Sequence, residues 1–501
     1  MAFRATFLVV VGVTLVGQLA ALGFEIAAAA RFGTGLEADA LAFALTLVFA
    51  LTTEIVGWVS TLFVPLYVEA RATSPSIAAS LLRRVLAALV VVLGAGAILL
   101  ALAAGPLVEI LAPSLGTRGA AVFRAFAPLV VLVPLAGLFA ATLHAKGRFV
   151  AASFRALAWY GGGIVGVVVV GQALGAVAVP LGMMVGVAAF TALIGGAALR
   201  DARAPDGDGR GPSLMSLGRR LVPLAMLSAF VALNVAVERA LAARLPTGSL
   251  AALTYGYRLL HFPVALFVVN ATAMLFPLLS GHAARGEMSS FGVLGHRALR
   301  LAAVFAVPFA ALAIALAEPL TTLLLQRGAF TASSTAATAT AIVWYAPGVV
   351  AMALNHVLSR AFQALHALWR LVWTVGAGLL LNVLLMPALT MLFGFRGLAF
   401  ASSISAFVAV GLMLMALEKR VPMLGGALVT RATAAIVIAG VAGGVAATFA
   451  RELAGDSAMS QVVCGGVVGI AVYATVLFAL APGEARAMLA TLAPTWGGRK
   501  A

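Results

Sequence analysis

EIAAAARFGTG at Glu25–Gly35 returns as ERALAARLPTG at Glu238–Gly248, an offset of 213 from Glu25 to Glu238. Outward from this pair the echo continues in order. LFVPLY (62–67) is followed by LFPLL (275–279), setting Pro65 against Pro277. AAGPL ending at Leu107 matches LAEPL ending at Leu320, and APL at Ala127 matches APG at Ala346. Coincidences do not fall in one order at nearly one spacing, so the chain contains a duplicated unit. Each copy holds six apolar runs, an even number, so both copies have the same orientation. The axis relating them lies along the membrane normal, an arrangement that usually encloses a midplane site and works by alternating access.

The runs themselves read as membrane spans. Of 501 residues 63% are hydrophobic and only 10% charged, with a mean hydropathy of +1.13. About twenty apolar residues cross about 30 Å of hydrocarbon as a helix, and lipid leaves helices as the one way to pair the backbone of such runs. Helices are expected at 5–30, 40–68, 84–104, 121–143, 154–174, 176–199, 219–243, 250–280, 297–317, 337–361, 370–392, 396–417, 431–450 and 461–481. The fold class is therefore all-α and polytopic, with about fourteen transmembrane helices. Residues 1–200 form an N-terminal six-helix lobe and 221–420 a C-terminal one. Between them, the polar DARAPDGDGRGPSLMSLGRR (201–220) reads as a cytoplasmic linker. Residues 421–501 add two helices and a cytoplasmic tail.

The net charge of +16 would suggest a nucleic-acid partner in a soluble chain. Here the basic residues stand singly and in pairs between apolar runs, so they are topology signals. With both termini cytoplasmic, 23 of the 32 Lys and Arg fall inside and 8 outside, leaving Arg258 within a span. An inner membrane and no nucleic acid follow. Arg4 with the apolar run to Ala27–Ala30 imitates a signal peptide, but the run is too long and the repeat includes it. The single cysteine, Cys464, and six scattered histidines offer no metal constellation. Lys146, Lys419 and Lys500 lie in no phosphate-binding loop. We therefore expect a transporter without cofactor, not an enzyme, coupled to Na+, H+ or the membrane potential.

Charges inside a span are costly and mark function by default. Arg258 lies about two turns into the eighth helix, in LTYGYRLLHFP. A guanidinium keeps its charge and matches phosphate oxygens with a planar fork. Its alternative is an ion pair tying the lobes together, with Glu54 as partner. Glu54, near the middle of the second helix, lines a cavity or pairs with Arg258; as a proton carrier it would need burial. Glu25 and Glu238 occupy equivalent outer ends, where a structural role is the simpler reading. Asn234, Asn382, Ser402, Ser403 and Ser405 could offer neutral oxygens to sodium, or join helices by hydrogen bonds. The glycines at 161–163 and at 443 and 444 read as close packing rather than phosphate cradles.

FGTGLEADALAFA (32–44), LFVPL (62–66), YRLLHFP (257–263) and LLLQRGAFTASS (323–334) together resemble the MviN/MurJ lipid II flippases. These form a branch of the MATE-like exporter superfamily. The resemblance implies a six-plus-six-plus-two helix plan. It also implies transfer of an undecaprenyl-pyrophosphate-linked peptidoglycan precursor from the inner to the outer leaflet, among membrane lipids and in contact with cell-wall synthesis proteins. In its terms Arg258 is the cavity arginine of helix eight and Asp39 the acid after the first outer loop. Asn382 stands where an asparagine is proposed to bind sodium. The family's arginines of helices one and two correspond to Gln18, Phe24 and Thr52/Thr53, so Gln18, Asp39, Glu54 and Arg258 are the expected substrate contacts. Runner-up cargoes are another polyprenyl-linked oligosaccharide, from an exopolysaccharide or O-antigen, or a small cation exported by antiport.

Overall fold

A computed structural model of the chain describes residues 2–200, 214–264, 268, 270–425 and 430–486. All regular elements among them are helical, and they divide into two compact units. The first is Met1–Thr254 with Leu325–Ser334; the second is Tyr255–Leu324 with Thr335–Ala501.

The first unit opens with α1 (Ala2–Phe32), α2 (Leu36–Thr73) and α3 (Pro75–Leu111). The break between α2 and α3 is written as Ser74-Pro75. Extended Ser74 accepts the Ser76 amide on its hydroxyl at 3.3 Å, and Pro75 takes the first helical position, where its missing N–H costs nothing. That cap starts α3 well before the apolar run expected at 84. The fourth expected helix is two pieces, α4 (Gly116–Phe126) and α5 (Leu129–Ala145), because Pro128 cannot donate to the helical ladder. Phe63, Tyr67, Leu81, Leu82 and Leu138 form the core where α2, α3 and α5 meet, with the Phe63 and Tyr67 rings stacked at 5.1 Å.

Next come α6 (Phe149–Ser153), α7 (Arg155–Val165), a wide turn at Gly166–Val170, α8 (Gly171–Leu174) and α9 (Ala178–Leu199). The chain reverses at Gly175 (φ +56°). Beyond it α9 runs back along α7: a Cβ on Gly162 would strike the Gly182 carbonyl oxygen, and one on Gly186 the Ala158 carbonyl oxygen. Gly162 and Gly163 are packing residues, as expected, whereas Gly161 faces open space. The unit's last long helix is α10 (Leu214–Ala242), followed by the first turn of α11 (Ser249–Val264). Most of the expected linker, 201–213, lies outside the described residues. The expected linker is shorter than 201–220: Leu214–Arg220 is already helix, because LMSLGRR runs directly into the apolar sequence that begins at Leu221.

The second unit continues with α12 (Asn270–Ala284), α13 (Met288–Ala315), α14 (Ala317–Leu325), α15 (Ala332–Ala364), α16 (Leu368–Phe393), α17 (Phe395–Glu418), α18 (Pro422–Gly425), α19 (Arg431–Leu453) and α20 (Ala458–Leu480). Phe291, Leu299, Leu358, Phe362, Met413 and Leu417 centre its core, which extends through Ile436, Ala439, Tyr473 and Leu477. The two added helices, α19 and α20, are thus fastened to α13. The Tyr473 hydroxyl donates to the Val304 carbonyl at 2.7 Å, and Arg300 pairs with Glu484 at 2.5 Å. Gly443 packs against the Gly469 carbonyl and Gly444 against Ala311, as close packing requires.

Twelve described segments are long and apolar enough to cross a membrane. One of them, Phe149–Leu199, is the α7–α9 reversal and holds two expected passes. Within the expected helix at 250–280 the described parts are α11 and α12, and residues 265–267 and 269 lie outside the described residues. Described helix thus falls within each expected pass.

Candidate functional site

The repeated stretches that define the duplication are neighbours at one end of the first unit. A Cβ on Gly248 would lie 2.5 Å from the Thr34 carbonyl oxygen. The Leu325–Ser334 segment joins them: the Ala329 amide donates to the Ala30 carbonyl at 2.8 Å, and Thr34 and Ser334 share a hydroxyl contact at 2.7 Å. Asp39 lies beneath this turn, 5% exposed. Its two oxygens accept the Gly248 and Ala251 amides, both at 2.7 Å, at the start of α11. The free N–H groups at the start of the helix find their partners in these two oxygens. Arg239 on α10, 5% exposed, donates to the Thr254 hydroxyl at 2.8 Å and approaches Glu238 at 3.9 Å. Glu25 is likewise buried.

Halfway along α2 the exposed positions become polar. Thr53, Gly57, Ser60 and Thr61 are exposed and Glu54 is half-buried, at helical spacings that place them on one side. Thr52 instead turns inward and donates to the Val48 carbonyl at 2.8 Å. Trp58 Nε1 donates to the Ser228 hydroxyl at 3.2 Å, and Ser228 donates to Glu54 Oε2. An indole can only donate, so Ser228 must spend its one hydrogen on the carboxylate. Phe24 is fully buried against Gly163 and Tyr160, which makes it core. Gln18 is half-buried on α1.

Arg258 belongs to the second unit, half-buried on α11 next to exposed Tyr257. One turn on is His261, whose ring lies 5.6 Å from that of Tyr257; Tyr257 also meets Tyr345 edge-on at 5.7 Å. His261 and Arg360 both act electrostatically on His356, so α11 and α15 bring these three side chains close together. The Arg360 guanidinium donates to Gln363 at 2.9 Å. Sequence reading missed His261, His356 and Arg360 as a group. The signal was present, since Arg258 and His261 are three apart and His356 and Arg360 four apart, one helical face each.

Among the candidate sodium ligands, Asn382 and Ser402 meet at 3.3 Å within the second unit. Ser403 donates to the Trp344 carbonyl and Ser405 to the Ala401 carbonyl, both at 2.8 Å. Asn234 is buried in the first unit. No group of three or more His, Cys, Asp or Glu that could hold a metal occurs among the described residues.

The model of the family described as lipid II flippase MurJ matches residues 28–464, through both units. The chain belongs to the lipid II flippase MurJ family. It is 28% identical over 199 residues to the probable lipid II flippase MurJ of Treponema pallidum, covering 40% of this chain and 38% of that one. It is 27% identical over 211 residues to the lipid II flippase MurJ of Burkholderia cenocepacia, covering 42% and 41%. The chain thus matches well under half the length of either curated relative. In fold it is similar to a lipid II flippase MurJ solved in an inward closed conformation, with TM-score 0.77, 18% identity and coverage of 93% and 97%. It is also similar to an inward-facing multidrug resistance MATE family transporter, with TM-score 0.70, 14% identity and coverage of 83% and 98%. A MurJ family chain with these spans is a multi-pass bacterial membrane protein.

Proposed function

We propose that the chain moves lipid II, the polyprenyl-pyrophosphate-linked peptidoglycan precursor, from the inner to the outer leaflet by alternating access. No covalent step is involved. The observation that carries this reading is the family match across 28–464, a range that contains the whole basic group on α11 and α15. A lipid pyrophosphate needs several positive or donating groups in a low-dielectric place. Arg258 supplies a permanent charge, and His261 on the same helix with His356 and Arg360 on α15 supply further donors in place of the arginines that the family carries on helices one and two. The cytoplasmic placement of both termini rests on the arginine bias, and Asn382 with Ser402 is the proposed place of ion coupling.

Expression of the chain in bacterial cells depleted of their own lipid II flippase tests this. The wild-type chain should restore growth, and Arg258→Ala should abolish the rescue. A well-expressed, membrane-inserted wild-type chain that fails to rescue would overturn the reading. One observation favours a second one: Glu54 suits a cationic cargo, as in MATE-type antiport. Glu54-dependent efflux of an organic cation from intact cells would support it.

A further inference from the structure

Glu54 is the group that a pyrophosphate carrier does not explain. It sits mid-span on α2, and among the described residues of its own unit its one hydrogen-bond partner is Ser228. Charged residues on the helices packed against α2 stand toward helix ends: Arg31 and Glu25 on α1, Arg83, Arg84 and Glu109 on α3, Arg118 and Arg124 on α4, His144 on α5, and Glu238 and Arg239 on α10. On α10 itself nothing from Val222 to Val237 is charged. Ser228, 8% exposed, fixes one carboxylate oxygen and is itself fixed by Trp58. The other oxygen is left for an outside partner. That partner has room, since a Cβ on Gly57, the next residue on this face, would meet nothing within 4 Å.

The chemistry of the partner can be narrowed. A hard metal cation collects about six or more oxygens, and here one carboxylate edge is on offer. An ammonium needs less, because three N–H groups can be shared between a carboxylate, hydroxyls and water. Trp58, four residues from Glu54 on the same helix face, adds an indole, the ring that best attracts such a cation. We propose that Glu54, oriented by Ser228 and Trp58, recognises a primary ammonium group on the cargo. In a peptidoglycan precursor this is the side-chain amine of a diamino acid in the peptide. The proposal rests on the lipid II reading and makes Glu54 a specificity residue for the peptide, separate from the basic group that takes the pyrophosphate.

The test uses the full-length chain in lipid nanodiscs and two synthetic peptidoglycan precursors that differ only in a free or acetylated side-chain amine. The wild type should bind the free amine roughly ten- to hundredfold more tightly, the range for a hydrogen bond to a charged group. Glu54→Gln should bind both forms with the affinity the wild type shows for the acetylated one, which also reports that the variant is folded. Ser228→Ala should retain part of the preference. Equal binding of both precursors by the wild type, or a preference that survives Glu54→Gln, overturns the proposal and leaves the lipid II reading standing. Binding of neither precursor removes both. Tight Glu54-dependent binding of a lipid-free organic cation, at the affinity of the free-amine precursor, would also overturn it, by giving the site to a small cation.

Discussion

Helices α2 and α3 are nearly equal in length, follow one another across a single serine, and belong to the same unit, yet they expose opposite chemistries. The outward side of α3 is Val91, Val92, Ile98, Leu99, Leu102 and Ile110, with Leu102 72% exposed. On α2, exposed Phe49 and Leu51 give way within a turn to exposed Thr53, Gly57, Ser60 and Thr61, with Glu54 at their margin. Exposure alone does not separate a lipid contact from an aqueous one. Composition at the exposed positions does, because hydrocarbon does not tolerate hydroxyl and carboxylate groups without internal partners. The outward side of α3 therefore suits lipid, whereas the stretch of α2 around Glu54 presents a polar face that suits water and, under the proposed function, cargo.

The strongest way to break this comparison is a lysine on each face. Val91→Lys should cost about 2.5–3.5 kcal/mol in membrane insertion, the penalty for a charge at a span centre. Thr53→Lys should insert as the wild type does, because its ammonium remains hydrated. Insertion efficiency in a reporter-fusion assay reads both. Equal penalties at the two positions would mean that both helices face lipid.

How much of this was legible beforehand differs sharply between the fold and the site. Apolar run lengths, the arginine bias and the offset between Glu25 and Glu238 are local or periodic, so spans and duplication could be read directly. Meetings between distant residues were not. Glu54 and Ser228 are 174 positions apart, and Asp39 and Gly248 are 209 apart. Helical periodicity says which side a residue takes, not which helix waits there. The same gap hid the grouping of His261 with His356, although each sat visibly one turn from an arginine. The helix at Leu214–Arg220 was hidden by composition, since Ser, Gly and Arg mark a loop only when no apolar run pulls them into its helix.

A second test sharpens the contrast within α2 itself, between its polar middle and its buried outer end. Asp39 satisfies two amides that begin α11, and hydrogen bonds to a charged group are each worth about 1.5–3 kcal/mol. Asp39→Ala should therefore lower the thermal unfolding midpoint of the purified protein, with a loss of about 2 kcal/mol or more. Thr53→Ala, on the exposed side, should leave the midpoint unchanged. An Asp39→Ala chain as stable as the wild type would show that the cap contributes little to the turn where the repeated stretches meet.

The smallest effect expected lies outside the spans, in the turn between α12 and α13. There Glu287 accepts from Arg285 at 2.7 Å and contacts His282 at 2.6 Å. These hydrogen bonds, Arg285 first, hold its carboxyl down at about 2 against an ordinary 4.5. A depressed carboxyl contributes stability that is complete above its unfolded value and disappears as pH falls through the folded one. The turn should therefore keep constant amide protection from neutral pH down to about 4.5 and lose it progressively toward 2. Because the turn is open to solvent, the change is local and screened by salt. Hydrogen exchange at the Glu287 and Met288 amides, corrected for the intrinsic pH dependence, measures it, with Glu287→Gln as the control that should show no such transition. Protection that declines equally in wild type and variant would assign the order of this turn to its backbone bonds, among them Glu287 N–H to the His282 carbonyl at 3.0 Å. Its charges would then be no more than solvated neighbours, unlike the single carboxylate of Glu54, which no water-facing turn surrounds.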